Sequence, residues 1–339
     1  MRIKNKSKSL ILVILSILLV SCSNFKQPAL GPEDLILVLA DQTIFDTYKP
    51  QLEKIFNDPI YTPMEEYRFN IRRIDMDEFH QGSSKFKYLI FLVNVDSETA
   101  EAQFIKKMLS DNIKDGVRNG DYYYAIKEDI WSRAQTVLFL MDSKNIHLST
   151  YLENFKEKMF GVFNDRMMTD VKNRLFDRYN NKMAQDYTKR NYNIDIFVPH
   201  DFTIVEEGSK TEKFIRYRRF NPDRWLTVLR TNYNTGLTFQ ENIIQTRDRI
   251  GKQFGDSVRV NTELISFQAD STFSSDGLKA QGLWEYFEGG GPFFTYAFLK
   301  NGTFYMIDGA VFAPSKKKYP FVIQLDLMAK TVKFLELEN

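Results

Sequence analysis

The 339-residue sequence predicts an α+β protein with two ferredoxin-like (split βαβ-type) halves joined by a long helical region. Three observations carry this prediction. Strand and helix patterns follow the order β-α-β-β-α-β over residues 35–146, apolar residues recur about every four positions over 147–192, and strands and helices mix again over 193–339. A mature chain of about 318 residues also exceeds one typical core, which favours two subdomains.

The first half, residues 35–146, is predicted from its apolar patterns. Continuous apolar runs at 35–40 and 88–95 are typical of buried strands, and alternation at 67–74 indicates a half-exposed strand. Helical spacing predicts amphipathic helices at 45–56 and 97–113, and further strands at 122–126 and 136–141. This order is the basis for predicting a split βαβ unit.

The linking region, residues 147–192, carries an apolar stripe with a step of almost four residues. An α-helix has 3.6 residues per turn, so such a stripe drifts around the helix and predicts a break or bend. We expect most of this stripe to pack inside the protein, and a partner-binding face is the alternative.

The second half, residues 193–339, opens with an apolar segment at 194–205 and continues into a predicted hairpin of 214–220 with 225–231 around Asn221-Pro222. Thr238 is the expected N-cap of a helix over 239–254. Strands are predicted at 264–268, 282–287, 293–299 and 304–307, and Asn301-Gly302 is a strong hairpin-turn signal. A helix, or a helix followed by a strand, is expected over 319–335.

The N-terminus predicts export and lipid attachment. Four basic residues precede an apolar run over 10–20, which is too short to span a bilayer but fits a secretory signal at 1–21. Leu19-Val20-Ser21-Cys22 resembles a lipobox, which implies long acyl chains such as palmitate on Cys22 and a tether over 22–34. The tether has no acidic cluster, which favours an outer-membrane protein facing the periplasm. A plain signal peptide with a chance cysteine is the alternative.

Composition restricts the function classes. Residues 1–21 contain four basic and no acidic residues, so the mature chain keeps 42 of the 46 basic residues against 44 acidic ones, a net charge near −2. Nucleic-acid-binding domains are usually strongly basic, so no nucleic-acid partner is expected. Cys22 is the only cysteine, which excludes an intramolecular disulfide. The 14% aromatic content supplies a packed core or, alternatively, a stacking surface for sugars or peptides.

Several short features, in their order along the chain, resemble an uncharacterised family of Bacteroidetes lipoproteins that is described only as a domain of unknown function. The features are residues 31–40, Asp129-Ile130-Trp131 before Ala134-Gln135, Val198-Pro199, Trp284 before Gly289-Gly290-Gly291-Pro292-Phe293, and Asp308-Gly309 before Ala313-Pro314. Arg133-Ala134-Gln135 stands where the family pattern has a proline before the glutamine. This resemblance implies an envelope location and no known activity.

No sequence motif indicates catalysis. The three histidines, His80, His147 and His200, are far apart and fit no metal-ligand spacing. Residues 75–80 could offer carboxylates and an imidazole to a metal, but a solvated turn is favoured. Neither a GxSxG elbow nor a GxxxxGK[ST] loop occurs. The sequence thus predicts no cofactor and no metal and gives no positive sign of an enzyme.

The candidate ligand or partner surface lies in the second half. Gly289, Gly290 and Gly291 predict either a tight connection between strands or a backbone surface beside Trp284. Arg216 and Arg218 share one face of a predicted strand, and guanidinium groups suit phosphate or carboxylate. A solvated, ion-paired sheet face is the favoured interpretation for these arginines, and an anion site is the alternative. The first half shows no comparable cluster of polar residues.

Three functions remain open from the sequence. We expect a lipid-anchored envelope protein, attached to the membrane through Cys22, that binds an envelope protein or an anionic glycan or lipid without catalysis. The alternatives are an envelope hydrolase or transferase acting on glycan, peptide or lipid, and a solute receptor that works with a transporter.

Overall fold

The computed structural model describes residues 26–60, 66–144, 148–177, 179–207, 213–252, 258–287 and 289–337. The predicted signal sequence and the predicted lipidation site, Cys22, lie outside these residues. The chain forms two compact units. The first comprises the residues up to Asn57 together with Phe69–Arg166, and the second comprises Asp58–Arg68 together with Met167–Asn339. Both units combine helices with sheets, so the α+β class in two halves is confirmed. Within the described ranges, no helix has the length and apolar character needed to cross a membrane.

The first unit is built on a five-stranded sheet. Its strands, numbered along the chain, are β1 (Leu35–Leu39), β4 (Asn70–Ile74), β5 (Tyr88–Asn94), β6 (Tyr124–Glu128) and β7 (Thr136–Asp142). Their spatial order is β4-β1-β5-β7-β6, in which only the β6–β7 pair is antiparallel. A split βαβ unit has an antiparallel four-stranded sheet, so the pairing differs in direction. Strands β1, β5 and β7 are apolar except at Asn94, Thr136 and Asp142 and are buried on both faces, which is typical of parallel strands.

The helices of this part of the chain are mostly those expected. They are α1 (Gln42–Phe56), α2 (Met76–His80), α3 (Ala100–Lys106), α4 (Asp111–Asn119) and α5 (Leu148–Asn154). The single helix predicted over 97–113 is wrong, because Ser110 caps a new helix by accepting a hydrogen bond from the Ile113 amide. The turn predicted over 75–80 is also wrong, because Asp75 caps α2 in the same way through the Glu78 amide.

The described residues between 148 and 192 form successive helices, so the break that the drifting stripe predicted is present. Helix α6 (Lys156–Phe176) follows α5, and the boundary between the two units falls inside it. Helix α7 (Lys182–Tyr192) begins after a break, where the Asn181 side chain accepts a hydrogen bond from the Ala184 amide. A side chain that accepts a hydrogen bond from the backbone in this way caps the N-terminus of a new helix.

The second unit is built on a seven-stranded antiparallel sheet in the order β12-β13-β14-β15-β11-β10-β9. These strands are β9 (Thr203–Glu207), β10 (Lys213–Arg219), β11 (Asp223–Asn232), β12 (Arg259–Ala269), β13 (Leu278–Tyr286), β14 (Gly289–Lys300) and β15 (Thr303–Phe312). Two small pairs join β2 (Pro59–Ile60) to β3 (Glu66–Tyr67) and β8 (Ile194–Asp195) to β16 (Lys333–Phe334). This sheet is larger than a split βαβ unit would supply, because two meanders, β9-β10-β11 and β12-β13-β14-β15, join through the β11–β15 pair.

Both faces of the large sheet are covered at its central strands, β11, β14 and β15. Helix α8 (Phe239–Gly251) packs its Ile243 and Ile250 against one face, which is called the α8 face below. Helices α7 and α9 (Tyr319–Ala329) contribute Tyr192 and Leu325 to the apolar cluster on the opposite face. Side chains alternate along each strand, so successive residues of β10 and β11 belong to opposite layers.

Three local predictions for this unit are confirmed. Strands β10 and β11 form the predicted hairpin, with Arg219 paired to Arg224 at its end. Thr238 caps α8, and its side chain and that of Glu241 form a reciprocal capping box. Lys300 pairs with Thr303 across the Asn301-Gly302 turn.

Candidate functional site

An aromatic cavity of about 230 Å³ opens on the α8 face of the second unit. It is lined by Arg218, Asp223, Trp225, Val258, Trp284, Tyr286 and Phe312. The strand registers explain this assembly: Arg218 lies directly opposite Trp225 in the β10–β11 hairpin, and Trp284 and Tyr286 are alternate residues of β13 on one face. The structure therefore brings two of the candidate residues, Arg218 and Trp284, to one cavity.

The glycine segment makes room for this cavity. Trp284 pairs with Gly291, and a Cβ atom on Gly291 would lie 3.2 Å from the Trp284 Nε1 atom and 1.9 Å from the Val311 carbonyl oxygen. A Cβ atom on Gly290 would lie 2.3 Å from the Trp284 carbonyl oxygen. The prediction of a glycine connection is wrong, because Gly289 to Gly291 are paired residues of β14. Their missing side chains let backbone and indole approach closely.

The aromatic side chains form one contiguous wall. The Trp284 ring centroid lies 5.6 Å from that of Trp225, 5.8 Å from that of Tyr286 and 6.0 Å from that of Phe312. The rings of Trp284 and Tyr286 are nearly parallel, with 19° between their planes. Such rings offer a flat apolar surface at low cost in conformational entropy, because aromatic side chains have few rotatable bonds.

The Trp284 indole N–H group has no hydrogen-bond partner among the described residues, although only 5% of the residue is exposed. A buried donor without an acceptor costs about 1–3 kcal/mol, and buried indole groups usually find a partner. The Nε1 atom lies against Gly291, so an acceptor atom on a bound molecule would supply the missing hydrogen bond after the indole ring turns toward the cavity. This unsatisfied donor is the strongest indication that the cavity is a binding site.

An ion pair borders the cavity. The Arg218 Nε and Nη2 atoms donate to the two carboxylate oxygens of Asp223, at 3.0 and 2.8 Å, and the guanidinium lies 4.4 Å from the centroid of the Phe220 ring. This two-point contact fixes the Arg218 side chain and largely cancels its charge. The cavity edge is thus polar but nearly neutral.

Arg216 lies deeper, on the wall of a small adjoining cavity that shares Trp225 and Trp284 with the first. It is 1% exposed, and its Nε atom donates to Thr227 at 2.9 Å. A solvated arginine face is therefore wrong for this residue, since its side chain faces the layer covered by α8. Arg216 supports the site from below and does not reach its surface.

The sequence reasoning missed Asp223, Trp225, Val258 and Phe312 as site residues. The hairpin register was the available signal, because pairing about Asn221-Pro222 places Trp225 opposite Arg218. No comparable signal marks Phe312, whose place depends on the pairing of β15 with β11.

A polar crevice in the first unit was also missed. It occupies about 410 Å³ where β1, β5 and β7 end, and it is lined in part by Asp41, Tyr48, Asn94, Asp96 and Asp142. The carboxyl ends of parallel strands commonly form ligand sites where the strand order reverses, and β1 and β5 flank such a point. The polar residues come from separate loops, so their proximity depends on the parallel pairing.

The carboxylates of this crevice are already bonded. Tyr48 donates to Asp142 at 2.7 Å, and burial, together with that carboxylate, raises the pKa of the Tyr48 hydroxyl. The Lys144 amide and the Arg118 side chain lower the pKa of Asp96 by hydrogen bonding its carboxylate. No metal-binding group of three or more acidic, histidine or cysteine residues occurs in the part of the chain that the structure describes. The crevice is thus satisfied internally, unlike the aromatic cavity.

Comparisons with known proteins give little functional information. Among solved structures, the chain is similar to the solution structure of cyanobacterial PsbP (CyanoP) from Synechocystis sp. PCC 6803, at 11% identity and a TM-score of 0.29, over 46% of this chain and 90% of that one. No curated protein matches the sequence. Two family models match: the domain of unknown function DUF8532 over residues 29–176 and the domain of unknown function DUF4837 over residues 180–331. The two matches follow one another along the chain, and neither covers half of it.

Proposed function

We propose that this chain is a non-catalytic binding protein of the cell envelope whose ligand site is the aromatic cavity. The buried indole N–H of Trp284, which has no partner among the described residues, carries the proposal, because a ligand acceptor beside this flat apolar wall would complete its hydrogen bonding. Lipid on Cys22 holds the protein at the membrane, as the lipobox resemblance and the likeness to Bacteroidetes lipoproteins imply.

The lining favours an uncharged ring with an apolar face and oxygen acceptors at its edge, which is the chemistry of a sugar. Stacked rings accept the face, and the Trp284 N–H donates to a hydroxyl or amide oxygen. A quaternary ammonium ligand fits poorly because it offers the indole no acceptor, and an anion gains little because Asp223 neutralises Arg218. The volume of about 230 Å³ is below the ~300–1,000 Å³ of pockets for drug-sized ligands, so one ring enters.

A hydrolase or transferase is less well supported. Hydrolysis of glycans uses two carboxyl groups on either side of the bond that breaks. Among the described residues that line the cavity, Asp223 is the single carboxylate, and both of its oxygens accept hydrogen bonds from Arg218. The arrangement favours binding without bond cleavage.

Trp284→Phe is expected to weaken sugar binding about tenfold, because phenylalanine keeps an aromatic face but loses the indole donor, a difference of about 1.4 kcal/mol. The measurement is calorimetric titration of the full chain in detergent micelles with N-acetylglucosamine, chitobiose and glucose. Trp131→Phe is the matched control, since Trp131 packs against Phe79 and Phe91 in the first unit. Equal affinities of the two variants, or no binding of any probe to the natural chain, would contradict the proposal.

Cys22→Ala is expected to release the protein from the membrane and to leave an unprocessed precursor, because alanine cannot form the thioether to lipid. Fractionation of cells and the mass of the purified protein measure both effects, with Ser23→Ala as the control. Membrane retention of Cys22→Ala, with an unchanged mass after acyl labelling, would contradict lipid attachment at Cys22.

A further inference from the structure

A second cavity of the second unit, separate from the aromatic one, is rich in arginine. It has a volume of about 160 Å³ and is lined in part by Arg174, His200, Asp201, Arg219 and Gln324. None of its lining residues among those described lines the aromatic cavity. Arg219 follows Arg218 in β10, so its side chain belongs to the opposite face of the sheet. This site is called the arginine cavity below.

Arg224 is a buried cation behind this cavity. It pairs directly with Arg219 in the hairpin, so the two guanidinium groups share one face, and like charges in such positions repel. Arg224 is 1% exposed, and among the described residues it donates to two neutral acceptors, the Pro222 carbonyl at 3.0 Å and the Gln324 Oε1 atom at 3.1 Å. Its Nε atom has no partner among the described residues.

The charge around Arg224 is incompletely balanced. Burial, and then the neighbouring Arg219, lower the pKa of Arg224 to about 10, against the opposing effect of Asp201. Asp201 is bonded at 2.8 Å to an Nη atom of Arg219, so the one lining carboxylate among the described residues is committed to that arginine. A buried charge is stable when an opposite charge accompanies it, whereas among the described residues Arg224 is hydrogen-bonded to neutral groups.

The Gln324 side chain is oriented so that its amide NH₂ group can donate a hydrogen bond to an anion. A guanidinium group only donates hydrogen bonds, so Gln324 must turn its oxygen to Arg224. Its amide NH₂ group is then available to the cavity that Gln324 lines. The remaining donors of Arg219 approach from β10, while Gln324 approaches from α9.

We propose that the arginine cavity binds a compact oxyanion, a phosphate group. Its negative charge would balance Arg219 and Arg224, and its several oxygens would accept from donors on two different elements. Guanidinium groups are well suited to phosphate because they donate from several N–H groups in one plane. The small volume admits the phosphate group itself, either as free phosphate or as the end of a lipid headgroup. This inference does not depend on the aromatic cavity.

The test uses the full chain in detergent micelles and the variant Gln324→Glu. The glutamate places a carboxylate against Arg224 and supplies the missing anion internally. We expect inorganic phosphate to raise the melting temperature of the natural chain, and Gln324→Glu to melt higher without phosphate and to lose the phosphate response. Arg259→Gln, which removes an arginine of β12 that is 70% exposed, controls for general charge effects and should keep the response.

Soluble short-chain lipids separate the two sources of phosphate. A response to dihexanoyl phosphatidic acid but not to inorganic phosphate or dihexanoyl phosphatidylcholine, lost in Gln324→Glu, assigns the site to a lipid headgroup. A response to inorganic phosphate, lost in the same variant, assigns it to a free phosphate group. No response to any phosphate probe, or an equal response of Gln324→Glu and the natural chain, overturns the proposal.

Discussion

Replacing Gly291 with alanine is expected to lower the free energy of unfolding of the second unit by about 3 kcal/mol, the upper part of the range for overpacked cores. The added Cβ atom would lie 1.9 Å from the Val311 carbonyl oxygen, far inside van der Waals contact. That oxygen belongs to the backbone of β15, which pairs with β14 over eight residue positions, so it cannot move without disturbing the sheet. Urea titration followed by tryptophan fluorescence measures the loss.

Gly161→Ala is the matched control for this prediction. Gly161 lies in α6, and an added Cβ atom would find its nearest neighbour, the Asp165 Oδ2 atom, at an ordinary 3.6 Å. Alanine favours a helix by up to ~1 kcal/mol over glycine, so this variant should be as stable as the natural chain or slightly more stable. Similar urea midpoints for Gly291→Ala and the natural chain would show that β14 and β15 do not approach as described.

Asp308→Ala is expected to destabilise the second unit by about 3–5 kcal/mol, because it leaves the Arg247 charge buried without its partner. The two residues are 2% and 8% exposed, and the Arg247 Nε and Nη2 atoms donate to the Asp308 carboxylate at 2.5 and 3.2 Å. Thr295 also donates to this carboxylate and would lose its acceptor. The pair joins α8 to β15 beneath the aromatic cavity, so the same variant should also loosen that cavity.

An exposed ion pair on the same unit gives the comparison. Arg259 and Glu285 are 70% and 36% exposed, and their contact is 3.0 Å. Exposed pairs contribute about 0–1 kcal/mol, so Glu285→Ala should shift the urea midpoint little. If Asp308→Ala and Glu285→Ala shift it equally, the Arg247–Asp308 pair is not buried as described here.

The features that depend on neighbouring residues were predictable from the sequence. The Thr238 capping box, the Asn301-Gly302 turn and the hairpin about Asn221-Pro222 each rest on a few adjacent positions. The direction of strand pairing was missed in the first unit, although the continuous apolar runs of β1 and β5 are typical of parallel strands. The pattern of apolar residues identifies a strand, but it does not indicate which strand lies beside it in the sheet.

The glycine segment shows why local rules fail at this site. Glycine and proline favour turns, so the sequence indicated a connection before Phe293. In the fold, glycine is required at Gly290 and Gly291 because an added Cβ atom would collide with Trp284 or Val311. Trp284 lies on the neighbouring strand, and Val311 is distant in the sequence. Arg218 and Trp284 were correctly chosen as candidates, but Asp223 and Phe312 join them only through the order of β11, β15 and β13.

The burial of charged arginine side chains was the other feature that the sequence did not predict. The basic stretch over 213–224 suggested a solvated face, yet Arg216 and Arg224 are each 1% exposed, on opposite faces of the hairpin. The burial of these two arginines depends on helices α8 and α9, which cover the sheet and lie elsewhere in the sequence.

The central claim is that the Trp284 indole N–H awaits a ligand acceptor, and the indole ¹⁵N–¹H spectrum tests it most directly. The chain has three tryptophans, Trp131, Trp225 and Trp284, so three indole signals are expected, each assigned by its Trp→Phe variant. Addition of chitobiose should shift the Trp284 signal in the direction of a stronger hydrogen bond, shift Trp225 less, and leave Trp131 in place. A Trp284 signal that stays fixed while chitobiose binds, or that moves no more than the Trp131 signal, would contradict the assignment of this cavity as the binding site.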